Sequence, residues 1–402
     1  MTDHGTSPIA GFTSTGSKHP RPLFGRDVEG AIHEGLPVRM AGARGVTVTD
    51  DRGREYLDFI MALGAVSLGY GHPAVNAAVH AALDAGGVGP LAPLLEEQVA
   101  ERLCRVLPGV ERIRFFKTGA EAVAAAVRIA RVRTGRDQVI GCGYHGWLDW
   151  CSAGAGVPAG VQAYFHAVPF NDAEAARLAI RGAGDRLACV VIEPVIEAWP
   201  DPGWLEVLRE ETARTGSLLV LDEIKTAFRL HKGGAAARFS IPADLIVVGK
   251  ALANGFPLAA VGGAKELMAE SVSRTWISST LATEYVSLAA AGASLDVMAE
   301  VDLPRQLEEV GRNWIGGIEK LARAYPDLIA GVRGVPAMSL IDWRSEDAGS
   351  AVTRAAARNG LLIKRSAYNF MSLAHQPPDI ARALDLLRDS LEEVSRSNPH
   401  AD

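Results

Sequence analysis

Lys250 is the residue whose type and position most directly indicate chemistry on a small molecule. It follows the apolar run of residues 245–249 (LIVVG) and precedes residues 251–255 (ALANG). Burial disfavours a charged lysine, so its pKa falls, and the neutral amine can attack an aldehyde to form an imine. The alternative is a surface lysine at the start of a helix. The strand predicted before Lys250 favours the nucleophile.

Asp222 ends a second apolar run, residues 218–221 (LLVL). A carboxylate at the tip of a buried strand requires a cationic or hydrogen-bonding partner. The protonated nitrogen of a pyridine ring would be such a partner, and the pair would keep the ring able to accept electrons. The sequence equally allows Asp222 to cap the next helix or to pair with Lys225 or Arg229.

A candidate phosphate site lies at Thr118, Gly119 and Ala120. These residues stand between the run of residues 112–116 (RIRFF) and an alanine-rich segment with helical spacing. The N–H groups and the dipole at a helix N-terminus attract anions, and the Thr118 hydroxyl could add a contact. A plain N-cap gives the same pattern, so both interpretations stay open.

Tyr144 and His145 lie in the glycine-rich segment of residues 141–147 (GCGYHGW). An aromatic ring between glycines can lie flat against a planar ligand, because glycines let the backbone approach closely. A core aromatic in a tight loop is the alternative for Tyr144, and a structural hydrogen bond is the alternative for His145. Glu193 is another polar residue at a predicted strand end, after residues 188–192 (ACVVI).

A mostly parallel sheet would bring these candidates together. From about residue 73 to residue 300, short β-branched runs alternate with helical patterns, which indicates strands buried on both faces. In open sheets of this kind, ligands bind outside the carboxyl ends of the strands. Amphipathic helices around residues 303–323 and 378–393, with a short β pattern between them, predict a second, smaller α+β domain.

We therefore predict an α/β chain with four segments. Residues 1–22, rich in Gly, Ser, Thr and Pro, would be a flexible arm, and residues 23–60 the N-terminal part of the small domain. Residues 61–298 would be the large domain and residues 299–402 the C-terminal part of the small domain. Asp and Gly at positions 50–53, between two short apolar runs, predict a β-hairpin.

The composition excludes several classes of function. The formal net charge of −6 argues against a nucleic-acid-binding protein. The four cysteines contain no C-x-x-C pair, so we expect neither a metal site nor a disulfide framework, and a reducing compartment fits. No run approaches the ~20 apolar residues of a membrane span, and the N-terminus lacks the apolar region of a signal peptide. We expect a cytoplasmic protein.

The motifs, taken in order, resemble those of the class III (subgroup II) pyridoxal-phosphate (PLP)-dependent aminotransferases of fold type I, and most of all the glutamate-1-semialdehyde 2,1-aminomutase branch. The resemblance spans roughly residues 35–390. It is carried by FKTGAEA at 116–122, where the family has N-S-G-T-E-A, TGRD at 134–137, YHG at 144–146, EPV at 193–195, LDEI at 221–224 and DLIVVGK at 244–250. Several motifs in this order are far more specific than any one of them.

The resemblance implies pyridoxal 5'-phosphate as the cofactor. Lys250 would be its Schiff-base lysine and would shuttle a proton, and Asp222 would hold the pyridine nitrogen. Thr280 matches a threonine that reaches the phosphate of the neighbouring subunit, which implies a homodimer with shared active sites. The full set expected at the cofactor is Thr118, Gly119 and Ala120 at the phosphate, Tyr144 and Ile224 on the two ring faces, and His145, Glu193, Asp222, Lys250 and Thr280.

Some segments depart from the aminomutase pattern. Ala120 replaces the threonine of the family's phosphate loop, and residues 279–285 read STLATEY where the aminomutase has G-T-L-S-G-N-P. Residues 143–150 and 364–370 resemble relatives that act on sugars and aminoglycosides. Lys364 and Arg365, in the second of these stretches, would either contact an acidic donor or form a solvated basic pair.

The expected activity is amino transfer from an amino-acid donor, L-glutamate, to an aldehyde or ketone. A sugar or aminoglycoside acceptor in antibiotic biosynthesis is one candidate. The first alternative is a PLP-dependent isomerase, either an aminomutase or an epimerase at an amine-bearing carbon. The second is a non-enzymatic cofactor-binding protein, against which the presence of both Lys250 and Asp222 argues.

Overall fold

The chain divides into two compact units in the computed structural model, which describes residues 7–397. The central unit is Pro73–Pro304, and the terminal unit combines the residues before it with those after it. The sequence predicted a large domain over residues 61–298, so the boundaries of the central unit lie later in the chain at both ends.

The strands are numbered in chain order. They are β1 (Met40–Arg44), β2 (Thr47–Asp50), β3 (Glu55–Asp58), β4 (Arg112–Phe116), β5 (Gln138–Cys142), β6 (Phe165–Ala167), β7 (Leu187–Ile192), β8 (Leu218–Asp222), β9 (Leu245–Val248), β10 (Ala259–Gly263), β11 (Ile329–Val335), β12 (Met338–Trp343), β13 (Leu361–Leu362) and β14 (Asn369–Phe370).

The α-helices are numbered in the same way. They are α1 (Pro20–Phe24), α2 (Val28–His33), α3 (Met61–Gly64), α4 (Pro73–Asp84), α5 (Leu94–Val106), α6 (Gly119–Thr134), α7 (Ala159–Gln162), α8 (Ala173–Ala183), α9 (Pro202–Thr215), α10 (Gly234–Arg238), α11 (Lys265–Arg274), α12 (Tyr285–Glu300), α13 (Leu303–Ala324), α14 (Glu346–Arg358) and α15 (Pro377–Ser397).

The central unit is built on a seven-stranded sheet with the order β4-β10-β9-β8-β7-β5-β6. The five strands β9, β8, β7, β5 and β6, which are neighbours in this order, are parallel to one another. Strand β10 runs antiparallel to both of its neighbours, β4 and β9. The carboxyl ends of β4 to β9 therefore meet at one edge. The predicted α/β fold with a mostly parallel sheet is confirmed, and each apolar run named above forms a strand.

Burial explains why these strands read as continuous apolar runs. Every residue of β7 and β9 is buried, and helix α6 packs its alanines and valines on this core. A strand covered by helices on both faces has no face toward solvent, so its sequence does not alternate between apolar and polar residues. Helix α6 ends at Gly135, which adopts the left-handed conformation (φ 70°) that glycine allows.

The terminal unit contains two small sheets, ordered β1-β2-β3-β13 and β11-β12-β14. The predicted hairpin is confirmed, because β2 and β3 pair antiparallel. The amphipathic pattern of α13 is also confirmed: Leu307, Trp314 and Ile318 are fully buried at helical spacing, and Trp314 stacks on Phe59 at 4.4 Å between ring centroids. These contacts make one α+β core from both ends of the chain.

The described part of the predicted flexible arm, residues 7–22, has local structure. It contains a 3-10 helix at Gly16–Lys18, and the first turn of α1 is capped by His19, whose Nδ1 accepts the Arg21 N–H at 3.1 Å. Phe12 is buried, and the Arg39 guanidinium lies 3.7 Å from its ring centroid. Residues 1–6 of the predicted arm lie outside the described residues.

None of the helices within residues 7–397 is long and apolar enough to cross a membrane.

Candidate active site

The carboxyl edge of the central sheet gathers the predicted site residues. Asp222 is the last residue of β8, and Glu193 directly follows β7. In the parallel register Ile192 lies opposite Leu221, and Asp222 lies opposite Val247 of β9. Lys250 follows β9 by two residues. The pairing of the strands therefore brings Glu193, Asp222 and Lys250 to the ends of three adjacent strands.

Lys250 combines a strained backbone with a perturbed amine. Its φ is +44°, a left-handed conformation that costs a non-glycine residue about 1–3 kcal/mol and is often found at functional sites. The residue is half-buried. Burial of the amino group, followed by the nearby Lys225 charge, lowers the pKa of Lys250 from 10.5 to about 8. A surface lysine at a helix start would show neither property.

Asp222 is 3% exposed and is held by His145. His145 Nδ1 lies 2.8 Å from Asp222 Oδ2. An ionised carboxylate can only accept, so Nδ1 carries the hydrogen of this bond. The Ile224 N–H contacts the other oxygen, Oδ1, at 3.3 Å. His145 is thus a structural hydrogen-bonding residue, as its alternative interpretation held, and it fixes the orientation of the Asp222 carboxylate.

Glu193 connects three strand ends, an arrangement that the sequence did not reveal. Its Oε1 accepts the Tyr144 N–H at 2.6 Å, and its Oε2 forms an ion pair with Lys225. Gly143 (φ +108°) lies so close that a Cβ there would be 2.7 Å from Glu193 Cγ. Both members of the ion pair are largely buried, at 6% exposure for the glutamate side chain and 12% for the lysine.

Tyr144 is 71% exposed. The core-aromatic alternative is therefore wrong. An exposed aromatic ring beside the strand ends is available to cover a bound ring.

The candidate phosphate site is the N-terminus of α6. The Thr118 hydroxyl accepts the Glu121 N–H at 3.2 Å, and Glu121 Oε2 accepts the Thr118 N–H at 2.9 Å, so Thr118 is the N-cap of a capping box. The first amides of a helix, here Gly119 and Ala120, have no intrahelical acceptor and point outward from its end. A 16-residue helix therefore presents its N-terminus at the end of β4.

Two glycines allow neighbouring segments to pack closely against the N-terminus of α6. A Cβ at Gly119 would lie 2.5 Å from Ile224 Cδ1, so Ile224 packs directly against the helix start. A Cβ at Gly146 (φ +109°) would lie 2.6 Å from Ala120 Cβ, so the Tyr144 loop packs against the same turn. The alanine at position 120 fits this close approach.

Thr280 is exposed and lies four residues before Glu284, the N-cap of α12. The Glu284 carboxylate pairs with Lys117 at 2.7 Å, which ties this segment to the end of β4. In the terminal unit, Lys364 is 2% exposed and donates to the Ser17 carbonyl, and Arg365 pairs with Glu346 at 2.9 Å. The interpretation of Lys364 and Arg365 as a solvated basic pair is therefore wrong.

These residues fit PLP by the chemistry of their donor groups. An amine of lowered pKa suits the aldehyde, a buried carboxylate suits the pyridine nitrogen, and a capped helix N-terminus suits the phosphate. All three belong to the central unit.

Comparison with known proteins agrees with this chemistry. The family model "Aminotransferase class-III" matches residues 31–387. The glutamate-1-semialdehyde 2,1-aminomutase of Thermomicrobium roseum is 33% identical over 90% of this chain and 92% of its own length, and that of Symbiobacterium thermophilum is 34% identical over 83% of each chain.

Solved structures share the fold. The PLP internal aldimine form of the Sphingopyxis sp. MTA144 FumI protein has a TM-score of 0.90 at 23% identity, covering 98% of this chain and 95% of its own. The β-phenylalanine aminotransferase of Variovorax paradoxus has a TM-score of 0.82 at 26% identity, covering 97% and 92%. The chain therefore belongs to the class-III aminotransferases, PLP-dependent enzymes of fold type I.

Proposed function

We propose that this enzyme transfers an amino group from an amino-acid donor, L-glutamate, to an aldehyde or ketone, with Lys250 as the Schiff-base lysine. The observation that carries the proposal is the position of Lys250 after β9, at the same sheet edge as Asp222 at the end of the adjacent strand β8. Burial there lowers the pKa of the Lys250 amine to about 8. Lowering the pKa from 10.5 to about 8 raises the neutral fraction of the amine at pH 7 by roughly 300-fold.

Bound PLP would supply an aldehyde that condenses with amines and a ring that accepts an electron pair from the substrate carbon. The neutral Lys250 amine would be the group that condenses with this aldehyde, with loss of water. When a donor amine has taken its place, the free Lys250 amine would be the base that takes a proton from the donor carbon and returns it to the cofactor carbon. Asp222, oriented by His145, would pair with the ring nitrogen and favour its protonated form.

The remaining residues bind and orient. We assign the phosphate to the N–H groups of Gly119 and Ala120 at the start of α6, and one ring face each to Tyr144 and Ile224. The close packing of Ile224 against Gly119 supports this assignment, because it places the residue assigned to a ring face next to the residue assigned to the phosphate. The Thr118 hydroxyl is engaged with Glu121, so its contribution to phosphate binding would be indirect.

We propose a homodimer in which Thr280 reaches the phosphate of the neighbouring subunit. The support is the exposed position of Thr280 and the large exposed apolar side chains of the central unit. Trp147 and Trp276 are 75% and 82% exposed, and Leu281 beside Thr280 is 53% exposed. Exposed apolar surface of this kind marks interaction sites, and a second copy would cover it.

The decisive experiment is a half-reaction. The PLP-loaded protein is mixed with L-glutamate and no acceptor, while visible absorbance and released 2-oxoglutarate are followed. We expect the yellow colour to bleach with one 2-oxoglutarate per active site. Lys250→Ala should abolish this, and Lys265→Ala, which removes an exposed lysine of the same unit, should not. A wild-type protein that stays yellow and releases no 2-oxoglutarate would refute glutamate as donor.

An aminomutase is the second candidate, favoured by the 33% and 34% identity to proteins of that activity. Such an enzyme would convert glutamate-1-semialdehyde without any external donor or released oxo acid. Turnover of glutamate-1-semialdehyde alone would decide for the aminomutase. Carbonyl sugars and aminocyclitols are the acceptors to screen if the glutamate half-reaction succeeds.

A further inference from the structure

We propose that Lys225 is a positioning residue: an ammonium group fixed by Glu193 beside Lys250, which keeps the Lys250 amine in its neutral, nucleophilic form. The inference rests on the proposed function of Lys250. It assigns to Lys225 a role different from those proposed for Gly119 and Ala120 at the phosphate and for Asp222 at the pyridine nitrogen.

The geometry fixes the position of the Lys225 charge. Lys225 follows β8 by three residues, and Glu193 directly follows the adjacent strand β7. The two side chains form a largely buried ion pair. Glu193 is itself fixed by the Tyr144 N–H on its other oxygen. The loops that carry the two lysines are in contact: a Cβ at Gly249, the residue before Lys250, would lie 3.6 Å from Cγ2 of Ile224, the residue before Lys225.

Several charged groups act on the Lys250 amine. The cations Lys225 and Arg229 oppose its protonation, and the anions Glu193 and Asp222 favour it. His145 donates a hydrogen bond to Asp222. Among the charged groups Lys225 has the largest effect, exceeded only by burial itself. A cation beside a buried lysine is a known way to activate an amine nucleophile.

The sign of the expected change follows from this balance. Lys225→Gln removes the strongest opposing cation and leaves the Glu193 carboxylate unpaired, and both changes favour a proton on Lys250. The pKa of Lys250 should therefore rise, by about one unit. The double variant Lys225→Gln, Glu193→Gln keeps a neutral hydrogen-bonding pair. It also removes the Glu193 carboxylate, which favours a proton on Lys250, so the pKa of Lys250 should rise less than in Lys225→Gln.

The experiment measures the protonation of Lys250 in two ways. In the cofactor-free protein, an amine-reactive reagent is applied in short pulses across a range of pH, and modification of the Lys250 peptide is quantified by mass spectrometry. In the PLP-loaded protein, the visible absorbance is titrated with pH. Both are applied to wild type, to the two variants above, to Lys225→Arg, which keeps the charge, and to Lys265→Gln, an exposed-lysine control.

We expect Lys225→Gln to shift the Lys250 profile upward by about one unit, with Lys225→Arg and Lys265→Gln close to wild type. Unshifted profiles in both glutamine variants would overturn the proposal. If Lys225→Gln fails to fold, the double variant, which leaves no unpaired charge, decides. The cofactor-free profile also separates the proposed role of Lys225 from the proposed role of Lys250. It tests the effect of Lys225 on Lys250 without PLP. If PLP proves to bind another lysine, that result would refute only the proposed role of Lys250.

Discussion

Replacing Asp58 with asparagine should change how the free energy of unfolding depends on pH. Asp58 is 2% exposed at the end of β3 in the terminal unit. Burial raises the pKa of its carboxyl from 3.8 to about 6, although hydrogen bonds from the Tyr70 hydroxyl and from the N–H groups of Ile60 and Met61 oppose the rise. The folded protein therefore binds this proton more tightly than the unfolded chain.

The direction and size of the effect follow by linkage. A raised folded pKa contributes stability that is fully present below pH 3.8 and is lost as pH rises through about 6. The whole shift corresponds to about 3 kcal/mol, and the part that falls between about pH 4.5 and pH 7 is about 2 kcal/mol. Over that range, wild type should lose about 2 kcal/mol relative to Asp58→Asn.

The measurement is urea denaturation of both proteins at several pH values without cofactor, followed by tryptophan fluorescence. The quantity to compare is the difference between the free energies of unfolding of wild type and Asp58→Asn at each pH, because the contributions of the other titrating groups cancel in it. Asp51→Asn, which changes an exposed carboxylate in the same hairpin, is the control for the loss of one carboxylate. Parallel curves for wild type and Asp58→Asn would refute the reasoning.

Three further outcomes are expected. Gly146→Ala, which combines a φ of +109° with a Cβ 2.6 Å from that of Ala120, should lower the free energy of unfolding by about 2–4 kcal/mol. Gly160→Ala, where no atom lies within 4 Å, should change it by less than about 1 kcal/mol; equal urea midpoints for the two variants would contradict the close approach. Borohydride reduction of the PLP-loaded protein should fix the cofactor on Lys250 and on no other peptide, and a modified peptide elsewhere would refute the lysine assignment. Burial raises the pKa of Cys189 to about 12, so iodoacetamide should label it about 1,000-fold more slowly than a free thiol at pH 8; labelling of the native protein at the rate of the urea-unfolded chain would count against this.

The strands of the central unit were predictable because burial on both faces leaves a simple signal. Residues 188–192, 218–221 and 245–248 are continuous apolar runs, and each became a strand with its polar residue at the carboxyl edge. Strand β10 gave no such signal, since two of its five residues are glycines. Its reversed direction depends on pairing between β4 and β9, which no local pattern encodes.

At the site, the sequence identified residues more readily than their partners. The pairing of His145 with Asp222 and of Glu193 with Lys225 joins positions far apart in the chain, and it requires knowing which strands are neighbours. Lys225 carried one usable signal, its place three residues after Asp222. The capping box at Thr118 was also readable, because Thr-x-x-Glu before an alanine-rich run is its pattern.

The pairing of β3 with β13 has a consequence for how the chain is made. Leu57 is parallel-paired with Leu361, so an early strand of the terminal unit finds its partner only after about 300 further residues have been added. At typical synthesis rates that interval lasts roughly 15–60 s. The central unit is continuous in sequence and can complete its core on the ribosome during that time. Until β13 has been made, the edge of β3 lacks its parallel partner, and an unpaired strand edge can pair with other chains.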